Sequence, residues 1–312
     1  ARLLELIRQL RESVQQQIVG SGSSFAMIRA CAALSPASAC TELCGGIAYY
    51  RWLRELEQDF DARAEALINT LQTLTERLFV KARLLCSVTG TKKAAETVTG
   101  TLDAELPTGQ PAGPAQKARC LQAKHEGIVI PSDVSFAAAC GDLHDAEGEY
   151  CGQMRIACHV ASLGHFWNEI RVQGGAYGTG MVTRAETEYL YTYRDPHLAE
   201  SYETFAKGPA ELAARAYTEK DLTDSIVGTV SEMDKPMKPS AEARDLDRRY
   251  FCGITDAMLA ADRKALCSVD AAALKAMAAE LGTAMQHGTR VAFGSKEAVE
   301  GATGLFDRIE TL

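Results

Sequence analysis

The feature that most constrains the fold of this chain is residues 156–196, where a helical repeat gives way to glycines and then to a two-residue repeat. Apolar side chains first recur at steps of three and four, a spacing that predicts one buried face of a helix. They are Ile156, Val160, Leu163, Trp167 and Ile170. Gly174 and Gly175 then supply the backbone freedom with which a helix can turn into a strand. The stretch therefore predicts a helix that ends in a glycine turn.

Two segments of alternating residues follow the glycines and predict a β-hairpin. Residues 177–182 alternate between two faces, and residues 188–194 do the same. The aromatic residues on one face of the second strand are Tyr189, Tyr191 and Tyr193. We interpret this face as part of the core rather than as the wall of a substrate site. Asp195 and Pro196 then suit the N-cap and the first turn of another helix.

Most of the remaining chain has helical periodicity, with a few short apolar runs that suit strands. The predicted helices cover residues 1–18, 23–33, 41–79 (with a division near residue 59), 92–102, 197–206, a segment after residue 218, 241–263, 270–281 and 296–309. The predicted strands outside the hairpin cover residues 83–88, 127–130, 134–140 and 290–294. Thr218 and Asp221 suit a capping box. Gly208–Pro209 and Gly282 are expected to end the helices before them.

Residues 105–122 are expected to form a linker, because Pro and Gly cluster there and periodicity is lost.

The sequence also contains a weak internal repeat. Segments that begin at Arg83 and Arg290 share an order of long helices, a short strand, a polar turn and a short helix. Two copies of one domain type, the first without its front part, would produce this order. Coincidence is the alternative, since strand–turn–helix units are common.

The net charge of the chain limits the kinds of partner it is expected to bind. The chain of 312 residues has a formal net charge of -8, which argues against general nucleic-acid binding and leaves basic peptides as plausible partners. An acidic surface that keeps the protein soluble is the simpler explanation of the charge alone. We expect no signal peptide, and the sequence contains no apolar run long enough to span a membrane.

The 10 cysteines are scattered and show no Cys-x-x-Cys pair. Cys40 and Cys44 lie one helical turn apart, but no His or second Cys pair follows at the spacing of a zinc site. We expect reduced cysteines that act as small core residues, and hence a cytoplasmic location or another reducing compartment. Because position 1 is Ala, we also expect the chain to be part of a longer protein.

Three motifs carry a resemblance to a known family. They are Arg-Val-Gln-Gly-Gly-Ala-Tyr-Gly at residues 171–178, Tyr-Arg-Asp-Pro at residues 193–196 and Gly-Gly-Ile-Ala-Tyr-Tyr-Arg-Trp at residues 45–52. With these motifs the chain resembles the C-terminal half of zinc metallopeptidases of the pitrilysin/insulin-degrading enzyme family, and most of all their presequence-protease branch. The first motif is the most specific, and the third extends the resemblance over nearly the whole chain.

The resemblance implies an α+β fold of two related domains, each a mostly antiparallel sheet packed against several helices. Together these domains would form half of a closed metallopeptidase chamber. Residues 1–104 would be the mostly helical back part of a penultimate, incomplete domain. Residues 105–122 would be the linker, and residues 123–312 a complete C-terminal domain.

The resemblance also implies which residues contact substrate. In the family, an Arg and a Tyr of the first motif reach across the chamber to the zinc site of the N-terminal half, and they match Arg171 and Tyr177 here. An Arg fork suits a peptide carbonyl or carboxylate, and a Tyr hydroxyl can donate to the oxyanion of an attacked amide. Gly174, Gly175 and Ala176 complete the expected substrate-binding set. Residue chemistry also allows a helix C-terminal cation at Arg171 and a buried strand aromatic at Tyr177.

The family's catalytic His-x-x-Glu-His is absent from this chain. The nearest match is His-Asp-Ala-Glu at residues 144–147, but Gly148 stands where the second His would be. His159 and His165 are six residues apart and do not share a helix face, and His165 with Glu169 does not complete a zinc site. We therefore expect no metal site in this chain, zinc only in the N-terminal half of the intact enzyme, and no activity of the chain alone.

These inferences predict the non-catalytic C-terminal portion of a zinc metalloendopeptidase that degrades unfolded peptides in an enclosed chamber. The expected partners are the N-terminal catalytic half, on the same polypeptide or as a separate subunit, and unfolded peptides; neither nucleic acid nor a membrane is expected. An exposed sheet edge in residues 1–104 would also allow a fragment dimer. The alternative is a scaffold or binding subunit of this family without a proteolytic role. A cysteine-dependent enzyme has little support, because no Cys has an evident His partner.

Overall fold

The structure of the chain, a computed structural model, describes residues 2–113, 119–122, 124–143, 152–184, 187–302 and 304–312. Its helices are α1 Arg2–Gly20, α2 Gly22–Cys31, α3 Pro36–Gly45, α4 Ile47–Gln58, α5 Phe60–Leu78, α6 Lys92–Glu105, α7 Met154–Ala161, α8 Leu198–Ala214, α9 Glu219–Met233, α10 Pro239–Cys252, α11 Asp256–Cys267, α12 Ala271–Gln286 and α13 Lys296–Gly301. Its strands are β1 Glu126–Val129, β2 Phe136–Asp142, β3 Gly178–Arg184, β4 Thr187–Tyr193, β5 Thr289–Gly294 and β6 Arg308–Thr311. None of these helices has the length and apolar character needed to cross a membrane.

The strands of the described ranges form one mixed sheet in the order β3-β4-β2-β5-β1-β6. Neighbours from β3 to β5 pair antiparallel, whereas β1 runs parallel to both β5 and β6. The hairpin register places Gly178 opposite Tyr193 and Arg184 opposite Thr187. The α+β class and the predicted hairpin are therefore confirmed, as are the strands predicted at residues 127–130, 134–140 and 290–294.

The chain divides into two compact units. The first contains Ala1–Arg54, Arg119–Asp234 and Ala260–Leu312, and the second contains Glu55–Ala118 and Lys235–Leu259. The sheet lies entirely in the first unit. The units are discontinuous in sequence, so they do not follow the domain boundaries that the resemblance implies. Those boundaries, at residues 1–104, 105–122 and 123–312, describe domains of the intact protein and stay a prediction.

Helices bury both faces of the sheet within the first unit. On one face α7, α8 and α12 enclose a core that includes Leu190 and Phe205. On the opposite face α1 and α2 enclose a second core that includes Ile18, Phe136 and Phe293. Each fully buried side chain of this size contributes about 1.5–3 kcal/mol relative to an exposed one. The two cores thus hold the sheet between helical layers.

The tyrosine face of β4 is the less buried of its two faces. The fully buried residues of this strand are Glu188, Leu190 and Thr192. The half-buried residues are Tyr189, Tyr191 and Tyr193. Two of these tyrosines, Tyr189 and Tyr193, pack at the margin of the second core. The interpretation of the tyrosine face as core therefore holds only in part.

A buried ion cluster joins the N-terminal helices to the sheet. Arg29 on α2 donates from Nε and Nη2 to the two carboxylate oxygens of Glu126 on β1, at 2.5 and 3.1 Å. Its Nη1 donates to Oε1 of Glu42 on α3 at 3.2 Å. The same Glu42 oxygen accepts the main-chain N–H of Ala48 in the first turn of α4, at 2.9 Å. Burial raises the pKa of Glu42, although Ala48 and Arg29 oppose that shift.

The strand predicted at residues 83–88 is wrong. A 3-10 turn covers Lys81–Arg83 and irregular chain follows it. The main-chain N–H groups of Lys81 and Ala82 donate to the carbonyls of Pro107 and Thr108 at 2.9 and 3.0 Å. The chain just before the apolar run is therefore paired with the expected linker, and the run itself has no strand beside it in the described part of the second unit.

Two glycine positions expected to end helices lie inside helices. α8 runs through Gly208 and Pro209 to Ala214, and α12 runs through Gly282 to Gln286. A Cβ at Gly208 would lie 2.5 Å from Cζ of Phe166, so the missing side chain permits a close helix contact. Pro209 packs in turn against Gly282, where a Cβ would lie 3.4 Å from that of Pro209. Tertiary packing outweighs the local preference of these residues.

Three other predicted helix ends differ from the structure. The helix predicted at residues 241–263 divides at Gly253, which caps α10 with a φ of 65°. The helix predicted at residues 296–309 ends at Gly301, and the chain then forms β6, which pairs with β1. Asp195 does not cap α8; its Oδ1 accepts the N–H of His197 at 2.9 Å, and the helix begins one residue later. The capping box of the helix after residue 218 is confirmed.

Candidate functional site

The signature motif begins inside a π-helical segment. α7 continues without a break into Ser162–Gln173, and at its end the N–H of Gly174 donates to the carbonyl of Glu169, five residues back, at 2.9 Å. Such wider turns are rare and occur frequently at functional sites. The helix predicted from the apolar spacing is confirmed, and its wide turns are an addition that the spacing does not predict.

Three small residues take the chain from this segment into β3. Gly175 has a φ of 77°, a conformation that costs other residues about 1–2 kcal/mol. A Cβ at Gly174 would lie only 2.6 Å from the carbonyl oxygen of Ile170. Ala176 is buried, and its N–H donates to that same carbonyl at 3.1 Å. All three residues shape the turn, and their part in substrate binding stays a prediction.

Arg171 and Tyr177 lie side by side at the surface. The guanidinium carbon of Arg171 lies 4.2 Å from the centre of the Trp167 ring and 5.7 Å from the centre of the Tyr177 ring. The Tyr177 ring meets the Tyr193 ring edge to face at 5.9 Å. We call Trp167, Arg171, Tyr177 and Tyr193 the Arg171 cluster. Its contacts order a permanent cation and a phenol hydroxyl on one exposed patch.

The exposure of Tyr177 and the position of Arg171 test the alternative structural roles that residue chemistry allows for them. Tyr177 is 67% exposed, so a buried strand aromatic is wrong for this position. Arg171 lies in the last turn of the helix, where a cation also interacts favourably with the helix dipole. That stabilising effect is compatible with substrate contact, because the cation stays at the surface.

The hairpin end fixes the cluster from the other side. The main-chain N–H of Tyr177 donates to the carbonyl of Tyr193 at 3.1 Å. Arg194 follows with a φ of 51°, which is rare outside glycine, and its guanidinium carbon lies 5.6 Å from the centre of the Tyr193 ring. Asp195 and Ser135 then exchange two main-chain hydrogen bonds of 2.8 Å. The backbone that carries the cluster is therefore tied to the sheet.

Sequence reasoning missed two members of the cluster. Trp167 belongs to the predicted apolar stripe, but it is 38% exposed and supports Arg171 instead of filling the core. A signal for this contact exists, because Trp167 precedes Arg171 by four residues and such pairs are neighbours on a helix surface. Tyr193 could be added only from the hairpin register, which local sequence does not determine.

The described residues contain no group of three His, Cys, Asp or Glu side chains that could hold a metal ion. Nε2 of His165 is buried without a hydrogen-bond partner among those residues. Burial lowers the pKa of His159, with Glu232 opposing that shift. Residues 144–147, the nearest match to the zinc motif, lie outside the described residues. A zinc ion therefore does not fit the described side chains, and its absence from the whole chain stays a prediction.

The first unit is thus an α+β domain with a mixed sheet between helical layers and an Arg–Tyr pair on either side of a glycine turn. A family model described as the PreP C-terminal domain matches residues 125–292, and one for the region associated with peptidases of M16 subfamily C matches residues 1–56. The chain belongs to the PreP C-terminal domain family, which places it in the C-terminal half of an M16 peptidase. The resemblance drawn from the sequence motifs is therefore confirmed.

Relatives in both plants and bacteria are similar over most of this chain. It is 25% identical over 307 residues to presequence protease 1, chloroplastic/mitochondrial, of Arabidopsis thaliana, covering 96% of this chain and 28% of that protein. It is 23% identical over 315 residues to protein HypA of Clostridium perfringens, covering 100% of this chain and 32% of that protein. The chain thus spans less than a third of the length of these relatives.

A solved structure shows the same fold. The M16 peptidase inactive domain from Pseudomonas fluorescens superimposes with a TM-score of 0.58 and 14% identity. The match covers 94% of this chain and 70% of that one. At this identity the likeness concerns the fold alone.

Proposed function

We propose that this chain is the non-catalytic C-terminal portion of a zinc metalloendopeptidase that degrades unfolded peptides in an enclosed chamber. The Arg171 cluster is the observation that carries the proposal. The two residues of the family motif lie together on a backbone tied to the sheet, with Arg171 half-buried and Tyr177 exposed. Membership of the PreP C-terminal domain family supports the same function.

The chemistry of the cluster suits peptide hydrolysis. The planar fork of Arg171 can hold a peptide carbonyl or a carboxylate, and its stacking on Trp167 leaves donors at the edge of the guanidinium available. The hydroxyl of Tyr177 can donate to the oxyanion that forms when an amide carbonyl is attacked. Such a donor stabilises the transition state more than the ground state, and that difference accelerates the reaction.

The partner in this proposal is the N-terminal half of the same M16 peptidase, on one polypeptide or as a separate subunit. Zinc bound in that half would supply an activated water for attack on the peptide bond. This chain would supply one wall of the chamber together with the Arg171 cluster, and would be inactive alone. The free thiols of the buried Cys31, Cys140 and Cys158 support a reducing compartment, cytoplasmic or other, as part of the proposal.

Peptide hydrolysis by separated halves tests the proposal. The chain alone, its upstream half alone and their mixture are each assayed with an unfolded peptide, with and without a zinc chelator. We expect activity only from the mixture, and we expect the chelator to abolish it. Chelator-sensitive cleavage by the chain alone would contradict the proposal. Equal activity of the upstream half without this chain would favour the alternative of a scaffold or binding subunit.

The hydrodynamic size of the chain in the same experiment tests the predicted fragment dimer. If the chain is a monomer alone and forms a one-to-one complex when the upstream half is added, its main partner is the catalytic half. A stable dimer of the chain alone would support the expected pairing through an exposed sheet edge.

A further inference from the structure

A cavity of about 390 Å³ opens on the face of the sheet that α8 and α12 cover. It lies within the first unit, and no member of the Arg171 cluster lines it. Most of its wall is apolar and comes from the two helices, including Phe205, Pro209 and Met285. Ala206 and Ala210 are exposed and form part of its rim. This volume falls in the range of small-molecule sites, roughly 300–1,000 Å³.

Two basic side chains stand at the sheet side of the cavity. Arg290 on β5 and His125, just before β1, both line it. The main-chain N–H of Arg290 donates to Nδ1 of His125 at 3.1 Å, so the neutral imidazole carries its proton on Nε2. Burial and the neighbouring Arg290 lower the pKa of His125, which keeps the ring neutral and its Nε2–H a donor at physiological pH.

The Arg290 guanidinium is the free cation of the cavity. Within the described part of the chain, neither a hydrogen bond nor an ion pair engages its side chain. The buried hydroxyl of Tyr202, which also lines the cavity, is already committed, because it lies 3.1 and 2.9 Å from the carbonyls of Ala138 and Val291. A ligand would therefore meet one cation, one neutral N–H donor and the exposed amide of Gln286 in a cavity whose wall is otherwise mostly apolar.

We infer that this cavity binds a small monocarboxylate with an apolar body. The carboxylate pairs with the Arg290 fork and accepts from Nε2–H of His125, and the apolar body packs against Phe205, Pro209 and Met285. Two sources share this chemistry: a free amphiphilic acid, and the C-terminus of a short peptide that ends in an apolar residue. The site does not depend on the proposed peptidase function, since it shares no residue with the Arg171 cluster.

Titration calorimetry on the full chain tests the inference with octanoate and N-acetyl-leucine as probes. We expect at least one of them to bind with one-to-one stoichiometry and to shift the ring resonances of His125 in an NMR spectrum. Octanamide and N-acetyl-leucinamide should bind at least about tenfold more weakly, because they lack the charge. Binding of octanoate alone identifies a free acid as the source, and binding of N-acetyl-leucine alone identifies a peptide terminus.

Two variants and one control locate the site. Arg290→Gln should weaken binding by about tenfold or more, and Ala210→Phe should block the rim without touching the buried core. Arg119→Gln removes an exposed charge elsewhere and should leave affinity unchanged. The inference is wrong if neither acid binds at millimolar concentration, if acid and amide bind equally, or if Arg290→Gln keeps full affinity. Equal binding of inorganic phosphate would also overturn it, because phosphate has no apolar body.

Discussion

Replacing Arg29 by Met removes the cation from the buried ion cluster and leaves a long apolar side chain in its place. The substitution separates the charge from the packing, because Met retains much of the length of the Arg stem. Two carboxylates, Glu42 and Glu126, then lose their common partner. The perturbation therefore acts where α2, α3 and the sheet meet.

The magnitude follows from the burial of the cluster. The Arg29 side chain is 15% exposed, and those of Glu42 and Glu126 are 0% and 2% exposed, so water cannot replace the lost cation. Removal of one partner from a buried ion pair costs about 3–5 kcal/mol, because the remaining charge stays buried and uncompensated. With two such carboxylates we expect a loss near 5 kcal/mol, about the whole stability of a marginal domain.

Urea unfolding followed by circular dichroism and tryptophan fluorescence measures this loss. Trp52 is a suitable reporter, because it lies on α4, whose first turn Glu42 caps. Arg263→Met is the matched control. Arg263 also pairs through two hydrogen bonds of 2.6 Å, with Asp234, but both side chains are about half exposed. Loss of that solvent-screened pair should change the free energy of unfolding far less than loss of Arg29.

The loss from Arg29→Met should also depend on pH. Burial already raises the pKa of Glu42, and removal of Arg29 raises it further. The folded variant then binds more protons than the unfolded chain, so its stability falls as pH rises from about 4 towards the raised pKa. The substitution should be least harmful in acid. A loss equal to that of Arg263→Met at pH 7, or a loss that grows on acidification, would refute the reasoning.

Three further outcomes are expected. Gly175→Ala should lower the free energy of unfolding by about 1–2 kcal/mol, because Gly175 has a φ of 77°. Gly20→Ala is the control, since Gly20 has open space around it and no positive φ. Burial raises the pKa of Glu188 well above its ordinary value, so the free energy of unfolding of the wild type should fall as pH rises from about 4 towards neutral. Glu188→Gln should lack most of that fall, and the same pH dependence of stability in both proteins would contradict this. Trp167→Leu should lower kcat of the reconstituted enzyme about two- to fivefold, because Arg171 loses a cation–π contact that contributes about 0.5–1 kcal/mol. An unchanged kcat would show that Trp167 does not support Arg171 in catalysis.

The parts of the fold that local sequence determines can be predicted well. The apolar spacing before Gly174 predicts a helix, and the alternation around Tyr191 predicts a hairpin, because each depends on residues a few positions apart. The capping box at Thr218 is a contact across three residues and is likewise confirmed. Arg171 and Tyr177 came from the motif, and the structure places them next to each other.

The parts that depend on distant residues could not be predicted. β6 forms because residues 308–311 lie beside β1, far away in sequence, and its own composition does not distinguish it from a helix end. Residues 83–88 have the apolar character of a strand but no strand beside them in the described unit. The ion cluster joins Arg29 to Glu126 across 97 positions, and no local pattern indicates such a pair. Tertiary contacts decide these cases over local propensity.

The measurement that tests the central claim most directly is peptide hydrolysis by the upstream half mixed with Arg171→Ala or Tyr177→Phe variants of this chain. Arg244→Ala and Tyr250→Phe are matched controls, because they alter an exposed Arg and a 69% exposed Tyr that belong to the second unit and not to the cluster. We expect kcat/KM to fall about tenfold or more for each cluster variant, a loss of about 1.4 kcal/mol of transition-state stabilisation, while binding of the two halves is unchanged. Full activity of both cluster variants, or equal losses in the controls, would contradict the claim that the Arg171 cluster serves the active site.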